Sequence, residues 1–469
     1  MQNTSESSSD TQSVVSFVNS QGVAGRGTLL RLTRNQVVFE VYNPFSLVQL
    51  SEVLKALQIY RGERAIYDGR AVVSNLVPTG LMVIVSATLV DSWSDLSGLL
   101  PHQGLREEVE VFVKSWSASS ELEPSFLVLV SKARSFLLDL SRWLEQVDVA
   151  AQDGDCLADP GHAIEFLREV EAPITPLCDE LFGKLEEVAK AVDPETIHAH
   201  QSFLRKELHP ATLCAPFLNR TYSKPLGYAG DNEMVNMMLR DPYDGPNTYA
   251  RLVNALCLRQ GPVFAHRNRI DMLVERLAGE SRRAAGDGRE FRALNIGCGP
   301  AIEVQRLMRQ GALGNACDMT LVDFNLETLE YARAQIGEAA RDGGSSPRIE
   351  FVHKSIHELL KESSRRRAGP DRPYDFVYCA GLFDYLSDRI CRRLVGLFHS
   401  WLAPGGLLTL TNVHANNPAR AFMEYLMDWY LVYRDEDGMR DLAPEGTLPE
   451  VTCDPTGLNI FLDIRKVAG

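Results

Sequence analysis

The sequence lacks long apolar segments and an excess of positive charge. No stretch reaches the roughly 20 apolar residues that a membrane-spanning helix needs, so no membrane span is predicted. The chain of 469 residues carries 62 acidic and 48 basic residues, which gives a net charge of −14 at pH 7. Because a nucleic-acid substrate requires a basic surface, the composition excludes nucleic acid from the expected partners.

Paired cysteines are absent as well. The nine cysteines are scattered without a Cys-x-x-Cys motif, which predicts neither a zinc site nor a disulfide framework, and no metal is expected. Residues 1–12 are polar and lack the apolar core of a signal peptide. Reduced cysteines and the missing signal predict a cytoplasmic protein.

A glycine turn follows an apolar segment in the second half of the chain. Phe291–Gly299 reads as a strand that ends in Gly297-Cys298-Gly299, and the next predicted strand ends at Asp323. Two glycines allow a tight turn with close backbone approach, and an acid at that position can accept hydrogen bonds from ribose hydroxyls. The third glycine of the dinucleotide-binding motif is replaced by Ile302, so that motif is not met.

The segments that follow predict an α/β core. Arg348–Lys354 and Tyr374–Gly381 read as strands, Trp401–Val413 as a helix end, a Pro-Gly-Gly turn and a strand, and Glu450–Val467 as a hairpin. With helical stretches between them, this order predicts a βαβ sheet with a terminal antiparallel hairpin. It resembles the seven-stranded Rossmann-like core of class I S-adenosylmethionine (SAM) methyltransferases.

That resemblance implies SAM as the cofactor and S-adenosylhomocysteine (SAH) as its product. Arg269 is expected either to bind the methionine carboxylate of SAM or to lie on a solvated helix face. Ser355 and Ile356 occupy the adenine-contacting position. The implied cofactor-binding residues are Gly297, Cys298, Gly299, Asp323, Phe324, Asn325, Ser355, Ile356, Ala380, Gly381 and Arg269.

The N-terminal part predicts a small β-barrel. Residues 1–20 read as a disordered tail and 21–100 as short strands with one helix at Leu47–Leu57. The barrel resembles a PilZ domain, whose usual ligand is cyclic di-GMP. The paired arginines of that family are not matched by Arg26, Arg31 and Arg34, and Val77 replaces the serine of its second motif. We therefore expect no cyclic di-GMP binding, and a docking or dimerisation role instead.

Residues 101–215 predict a helical middle region, and 216–469 a methyltransferase domain with an N-terminal lid. Apolar residues at three- and four-residue spacing mark the helices Leu105–Trp116, Ser125–Ala150, Pro160–Val192 and Pro194–Leu208. The region can serve as a linker, an oligomerisation surface or a lid. A homodimer is expected through it or through the barrel.

The segment Asn219–Asp231 fits neither helix nor strand and concentrates glycine, tyrosine and charged residues. It resembles the Lys-Pro-Leu-Gly-Tyr-Ala-Gly-Asp stretch of bacterial proteins that make methyl esters of 3-hydroxy fatty acids. The similarity continues to the end of the chain. It implies that Tyr228, Gly230 and Asp231 belong to the site, with Tyr228 and Asp231 as catalytic candidates.

The remaining candidates follow the fourth and fifth strands of the core. Phe383 and Tyr385 are expected to wall the sulfonium, although Phe383 can equally be core and Asp384 a helix cap. His414 is a candidate general base or a structural histidine. A helix predicted at Arg420–Arg434 carries Tyr425 and Trp429 as candidate acceptor contacts.

Together these patterns predict a SAM-dependent methyltransferase that acts on a small-molecule acceptor. The acceptor is expected to be a fatty-acid-like carboxylate or a secondary metabolite. The alternative is a catalytically weak SAM-binding protein with a regulatory or scaffold role.

Overall fold

The computed structural model describes residues 14–33, 35–42, 48–61, 64–79, 82–93, 122–154, 160–344, 346–363 and 370–467. The chain divides into two compact units, one drawn from Met1–Ala118 with Leu226–Tyr228 and one from Ser119–Pro225 with Ala229–Gly469. The predicted helix Leu105–Trp116 and the side chain of Arg34 lie outside the described residues.

The first unit contains a closed barrel of antiparallel strands in the order β1-β2-β3-β6-β5-β4. Phe17, Phe39 and Tyr67 lie in its interior and are at most 2% exposed. The alternation of inward and outward residues gives these sequences the period of two that a strand requires. The strands are β1 Val14–Val18, β2 Ala24–Leu32, β3 Gln36–Tyr42, β4 Val53–Arg61, β5 Arg64–Thr79 and β6 Met82–Leu89.

The helix predicted at Leu47–Leu57 is wrong, since Val53–Arg61 is strand β4. Leu54 and Leu57 are both fully buried, and their three-residue spacing imitates a helix. A β-bulge between them, with Ala56 at a φ of 48°, turns both side chains to the same face. The structure also adds β1, which falls within the predicted tail. The segments Arg61–Tyr67 and Gly69–Val77, which read as two separate strands in the sequence, are joined in β5.

The second unit contains the helical region and an α/β core. Most predicted helices are present with slightly shifted ends. Apolar spacing also predicts a helix over Thr248–Leu277 with a break at Gly261-Pro262. The structure has this break, because proline is tolerated in the first turn of a helix but not in its interior. The helices are α1 Pro124–Gly154, α2 Pro160–Lys190, α3 Ile197–Thr212, α4 Pro216–Ser223, α5 Asn232–Leu239, α6 Thr248–Leu258, α7 Gly261–Gly286, α8 Ile302–Arg309, α9 Leu326–Gly343, α10 Ile356–Ser363, α11 Asp388–Ser400 and α12 Glu436–Arg440.

The sheet of this unit has seven strands in the order β12-β13-β11-β10-β7-β8-β9. Its strands are β7 Phe291–Ile296, β8 Cys317–Asp323, β9 Arg348–His353, β10 Tyr374–Cys379, β11 Leu402–Val413, β12 Pro449–Cys453 and β13 Asn459–Arg465. The five strands β11, β10, β7, β8 and β9 are parallel to one another, and β13 pairs antiparallel with both β11 and β12. All six residues of β10 are buried, as expected for a strand covered on both faces. The order confirms the predicted seven-stranded Rossmann-like core.

The strand order reverses direction between β7 and β10. In open α/β sheets, ligands bind outside the carboxyl ends of the strands at such a reversal. The glycine turn follows β7 and the segment Ala380–Tyr385 follows β10. The topology therefore brings these two predicted site segments to the same edge of the sheet.

Two further local predictions are wrong, one before the core strands and one after β11. The helix predicted at Arg420–Arg434 is a π-helix at Phe422–Leu426, after which the chain leaves the helix and Asp428 adopts a φ of 50°. The segment predicted to be neither helix nor strand begins inside α4, which extends to Ser223. The chain leaves the π-helix where Lys224 and Arg205 contact Met427 and Asp428. Such contacts between distant segments leave no trace in sequence periodicity.

Candidate functional site

The glycine turn is held open by backbone hydrogen bonds to the neighbouring strand. The amides of Gly297 and Cys298 donate to the carbonyl of Val322 at 2.9 and 3.0 Å. Gly297 and Gly299 have φ angles of 68° and 52°, which favour glycine. No atom lies within 4 Å of a Cβ built on Gly299, so a ligand can approach the backbone there.

Asp323 lies beside this turn at the end of β8. Its Oδ2 accepts from the amide of Gly299 at 3.0 Å and its Oδ1 from that of Asn325 at 2.9 Å. Burial raises the pKa of Asp323, while backbone amides of Asn325, Gly299 and Phe324 lower it. Each carboxylate oxygen has a second lone pair, so Asp323 can hold the turn and still accept from ligand hydroxyls.

The start of α9 connects this acid to the segment predicted as a lid. Asn325 caps the helix by accepting from the amide of Thr328 at 2.9 Å. The hydroxyl of Thr328 donates to Oδ1 of Asn232 at 3.2 Å, at the start of α5. Phe324 is half-buried, and its carbonyl accepts from Nε2 of His353 at 2.8 Å.

Ser355 uses its polar groups to start α10. Its hydroxyl and its amide both donate to Oε2 of Glu358, at 2.9 and 2.8 Å, and the amide of Glu358 donates back at 3.3 Å. This is a capping box. The following Ile356 is 6% exposed. The hydroxyl predicted to contact adenine is therefore already engaged in the fold.

Arg269, on α7, reaches the end of β10. A Cβ added to Gly381, whose φ is 90°, would come within 3.1 and 3.3 Å of the two terminal guanidinium nitrogens of Arg269. Only glycine allows this approach. The amide of Gly381 donates to Oγ1 of Thr411 at 3.1 Å, and the preceding Ala380 is partly buried.

The charge of Arg269 is not paired locally. Burial lowers the pKa of Arg269, and the negative charge of Asp384 opposes this. Within the described part of the chain no carboxylate lies within ion-pair distance of its guanidinium, whose Nη2 contacts Nδ1 of His266 at 2.8 Å. Its partial burial does not fit the solvated helix face considered as the alternative, and Arg269 stays a candidate for binding an anionic group of a ligand.

The residues after β10 divide between core and site. Phe383 is fully buried, as the core alternative requires. Asp384 does not cap α11; its Oδ1 accepts from the amide of Val413 at 2.6 Å. Burial raises the pKa of Asp384 to about 6, although Arg269, the amide of Val413 and Arg434 lower it.

Tyr385 and Trp429 form a hydrogen-bonded pair of aromatic rings. Nε1 of Trp429 donates to the hydroxyl of Tyr385 at 3.0 Å, and that hydroxyl donates to the carbonyl of Ala229 at 3.2 Å. Burial raises the pKa of Tyr385. Since their polar ends are occupied, the two half-buried side chains have only ring faces to offer a ligand.

Comparison with known proteins identifies the core. Residues 293–406, from β7 into β11, match the family described as "Methyltransferase domain". The chain contains a methyltransferase domain. A comparison with curated proteins found no match.

The solved structures that are similar to the chain include the following three. A "possible exported protein" from Bordetella parapertussis is 18% identical, with a TM-score of 0.41, over 54% of this chain and 86% of that chain. An N-methyltransferase from Bradyrhizobium japonicum in complex with SAH is 16% identical, with a TM-score of 0.32, over 53% and 98%. A magnesium protoporphyrin IX methyltransferase from Synechocystis with bound SAM is 14% identical, with a TM-score of 0.32, over 50% and 92%. The assignment rests on the family match and the strand order.

Asp231, a catalytic candidate, has a structural position in the second unit. It is the N-cap of α5, and its Oδ1 accepts from the amide of Met234 at 2.8 Å. It also accepts from Nε of Arg220 at 2.9 and 3.1 Å. Gly230 lies against Tyr385: a Cβ added to Gly230 would be 3.1 Å from the hydroxyl oxygen of Tyr385. Tyr228 is half-buried and belongs to the first unit, so its catalytic role stays a prediction.

His414 has both ring nitrogens engaged. Nδ1 accepts from the amide of Asn416 at 2.9 Å, and Nε2 lies 3.3 Å from Oε2 of Glu436. Because an amide always donates, Nδ1 has no lone pair left for a substrate proton, and Nε2 carries the hydrogen of a neutral ring. This arrangement favours the structural alternative for His414.

Two other predicted residues lie in apolar cores. Tyr425 is 4% exposed, and its ring centroid lies 6.0 Å from that of Phe126 in the helical region. Cys298 is 6% exposed in the core of the sheet, and burial raises the pKa of its thiol well above the usual value. Its side chain packs in the core, and Cys298 contributes only its backbone to the glycine turn.

Sequence reasoning missed a buried polar cluster that holds the chain before Trp429. Nζ of Lys224 donates to the carbonyl of Met427 at 3.1 Å, and Arg205 pairs with Asp428. Burial lowers the pKa of Lys224 to about 8. Lys224 lies among polar residues and directly precedes Pro225, and nothing in this local sequence indicates that its side chain is buried.

Arg434 was also missed. It is 4% exposed and donates to the carbonyls of Phe383 and Leu386 at 2.9 and 2.7 Å, to Oδ1 of Asn412 at 2.6 Å and to Asp388. It thus fixes the turn after β10 against the end of β11. Its partners come from separate segments, and no local pattern could indicate them.

Within the described residues, no helix combines the length and apolarity needed to cross a bilayer.

Proposed function

We propose that the chain is a SAM-dependent methyltransferase that releases SAH after methylating a small-molecule acceptor. One observation carries the proposal: an open glycine turn with Asp323 and the unpaired guanidinium of Arg269 meet at the reversal of the sheet. These features suit the ribose hydroxyls and the carboxylate of SAM.

The reaction would be an in-line displacement at the sulfonium methyl carbon. Such a transfer depends on proximity and orientation rather than on a covalent intermediate. SAM would supply the methyl group. Asp323, Arg269 and the glycine turn would orient it, and the ring faces of Tyr385 and Trp429 are suited to contact a cationic sulfur.

Calorimetric titration of the full chain with SAH tests the cofactor. We expect a micromolar dissociation constant and weaker binding of NAD. Asp323→Ala should weaken SAH binding at least about tenfold, because it removes hydrogen bonds to a charged group. Asp342→Ala on α9, a largely exposed acid, is the control and should bind as the wild type does. Tighter binding of NAD, or unchanged affinity in Asp323→Ala, would contradict the assignment.

We further infer that the acceptor is already ionised at the reacting atom, as a carboxylate is. An amine or a hydroxyl must lose a proton, and the candidate bases are occupied: His414 by Asn416 and Glu436, and the hydroxyl of Tyr385 by Ala229 and Trp429. A carboxylate needs no base. The resemblance to proteins that make methyl esters of 3-hydroxy fatty acids agrees with this acceptor class.

Transfer of a labelled methyl group from SAM to a panel of acceptors tests this class. We expect 3-hydroxy fatty acids to be methylated and their alcohol and amine counterparts not. For a carboxylate, kcat/KM should stay flat from about pH 6 to about pH 9, because the acceptor is ionised throughout. Faster methylation of an amine would overturn the inference. SAH binding with no transfer to any acceptor would instead indicate a SAM-binding regulatory protein.

A further inference from the structure

Three residues in the middle of the predicted lid segment belong to the barrel unit. Leu226–Tyr228 is grouped with the first unit, whereas Pro225 before it and Ala229 after it belong to the second. The chain therefore leaves the second unit for three residues and then returns to it. We call Leu226–Tyr228 the strap.

The barrel binds the strap through its backbone. The amide of Val53, the first residue of β4, donates to the carbonyl of Gly227 at 2.8 Å, and both residues lie in the first unit. Val53 is 6% exposed. Because a buried amide without an acceptor costs free energy, the strap completes the hydrogen bonding at the start of β4.

The position of the strap against the barrel requires glycine. Gly227 has a φ of 90°, and a Cβ added to it would lie 3.1 Å from Cε of Lys55 and 3.5 Å from Cβ of Ser20. The amide of Ser20 donates to Oε1 of Glu52 at 2.8 Å. Glu52 thus connects the turn after β1 to the start of β4, and both of these segments contact the strap.

In the second unit, the residues on either side of the strap are held next to Trp429. Nζ of Lys224 donates to the carbonyl of Met427 at 3.1 Å. The hydroxyl of Tyr385 donates to the carbonyl of Ala229 at 3.2 Å and accepts from Nε1 of Trp429 at 3.0 Å. Since Ala229 directly follows the strap, a displacement of the strap would reach the pair of aromatic rings assigned to the methyl-transfer site.

We propose that the strap couples the barrel to the methyl-transfer site. While the barrel binds Gly227, Ala229 stays within hydrogen-bond distance of Tyr385, and a ligand that orders Tyr385 in turn favours the bound strap. Such coupling is reciprocal: the factor by which the ligand stabilises the bound strap is the factor by which the bound strap raises ligand affinity. This inference rests on the proposed function, because it takes SAM or SAH as the ligand.

Hydrogen exchange of the full wild-type chain, with and without SAH, tests the coupling. The amide of Val53 exchanges when the strap is released. Exchange at the start of β4 should therefore slow at least about fivefold at saturating SAH, the lower end of the usual coupling between sites. Strand β3, which lies opposite β4 in the closed strand order, is the internal control and should exchange at the same rate in both states.

Gly227→Ala weakens the contact from the side of the strap, because alanine is strained at this φ and crowds Lys55. The start of β4 should exchange faster, and SAH affinity should fall by up to the factor by which SAH slows exchange in the wild type. Gly22→Ala is the matched control in the barrel. Its φ is 75°, but no atom lies within 4 Å of an added Cβ, so SAH affinity should match that of the wild type.

SAH binding with unchanged exchange at the start of β4, or with equal slowing of β3, would overturn the proposal. Wild-type SAH affinity in a Gly227→Ala protein whose β4 exchanges faster would overturn it as well. If calorimetry shows no SAH binding to the wild type, the proposed function fails and this inference fails with it. SAH binding without the change in exchange overturns this inference alone, so the two failures are distinguishable.

Discussion

At the scale of single residues, the hydrogen bonds of Asp231 and His414 decide which side chains remain available for chemistry. Both are polar residues in segments expected to contribute to the site, and both are engaged by the fold. Arg269 differs, because its guanidinium keeps donors that no carboxylate of the described residues takes up. Availability of a polar group therefore separates the candidate ligand contacts from the structural residues.

Asp231→Ala should lower the free energy of unfolding. Loss of an N-cap costs about 1 kcal/mol, and the substitution also leaves Arg220 without its carboxylate partner. Asp231→Asn, the matched control, keeps a capping oxygen and should lose less. Denaturant unfolding of both variants measures the difference. An Asp231→Ala protein as stable as the wild type but without methyl transfer would return Asp231 to a catalytic role.

At the scale of secondary-structure elements, several turns of the α/β core are fixed by side chains from neighbouring elements. Arg434 ties the turn after β10 to β11, and Lys224 with Arg205 holds the chain between the π-helix and Trp429. π-helical turns are rare in proteins, and those that occur are often found at functional sites. This one, followed by Asp428 in a left-handed conformation, directly precedes Trp429.

The capping box of α10 gives a prediction for this scale. Ser355→Ala and Glu358→Ala should each lower the free energy of unfolding by about 1 kcal/mol, and both should leave SAH affinity unchanged. If Ser355 also contacts adenine, only Ser355→Ala will weaken SAH binding, whereas Glu358→Ala will not. Chemical denaturation and calorimetry on the same pair of variants distinguish the two outcomes.

At the scale of the whole molecule, each unit contains an acid whose protonated form the fold favours. In the barrel, burial raises the pKa of Glu52 to about 7, although Ser20 and the amide of Gln49 donate to it. In the second unit, burial raises the pKa of Glu186 to about 7, although the amides of Phe422 and Ala421 donate to it. Stabilisation by either group is present at low pH and is lost as pH rises.

For Glu52 the window runs from its ordinary pKa of 4.5 to about 7. Since one pKa unit corresponds to about 1.4 kcal/mol, the loss over this window is about 3 kcal/mol. Calorimetric melting of the full chain should show Glu52→Gln losing stability relative to the wild type at pH 4.5 and regaining it by pH 8. Glu186→Gln should show the same pH dependence in the other unit, because burial raises the pKa of Glu186 to about 7 as well. A constant difference between wild type and Glu52→Gln would contradict the raised pKa.

Local sequence patterns were sufficient to predict the order of the core strands, the glycine turn and the acid after the next strand. Each of these is a local pattern: a buried parallel strand is a continuous apolar run, and a turn with positive φ needs glycine. The β-hairpin at the end of the chain and the break at Gly261-Pro262 were predictable for the same reason.

Only the tertiary structure decided how the site side chains are used. The bulge in β4 gave a strand the apolar spacing of a helix, and the hydroxyl of Ser355 was taken by a capping box. Arg269 became a candidate ligand contact because Gly381, far along the chain, leaves space for its guanidinium. Hydrogen-bond partners and close approaches join distant segments, and the period of a helix or strand carries no information about them.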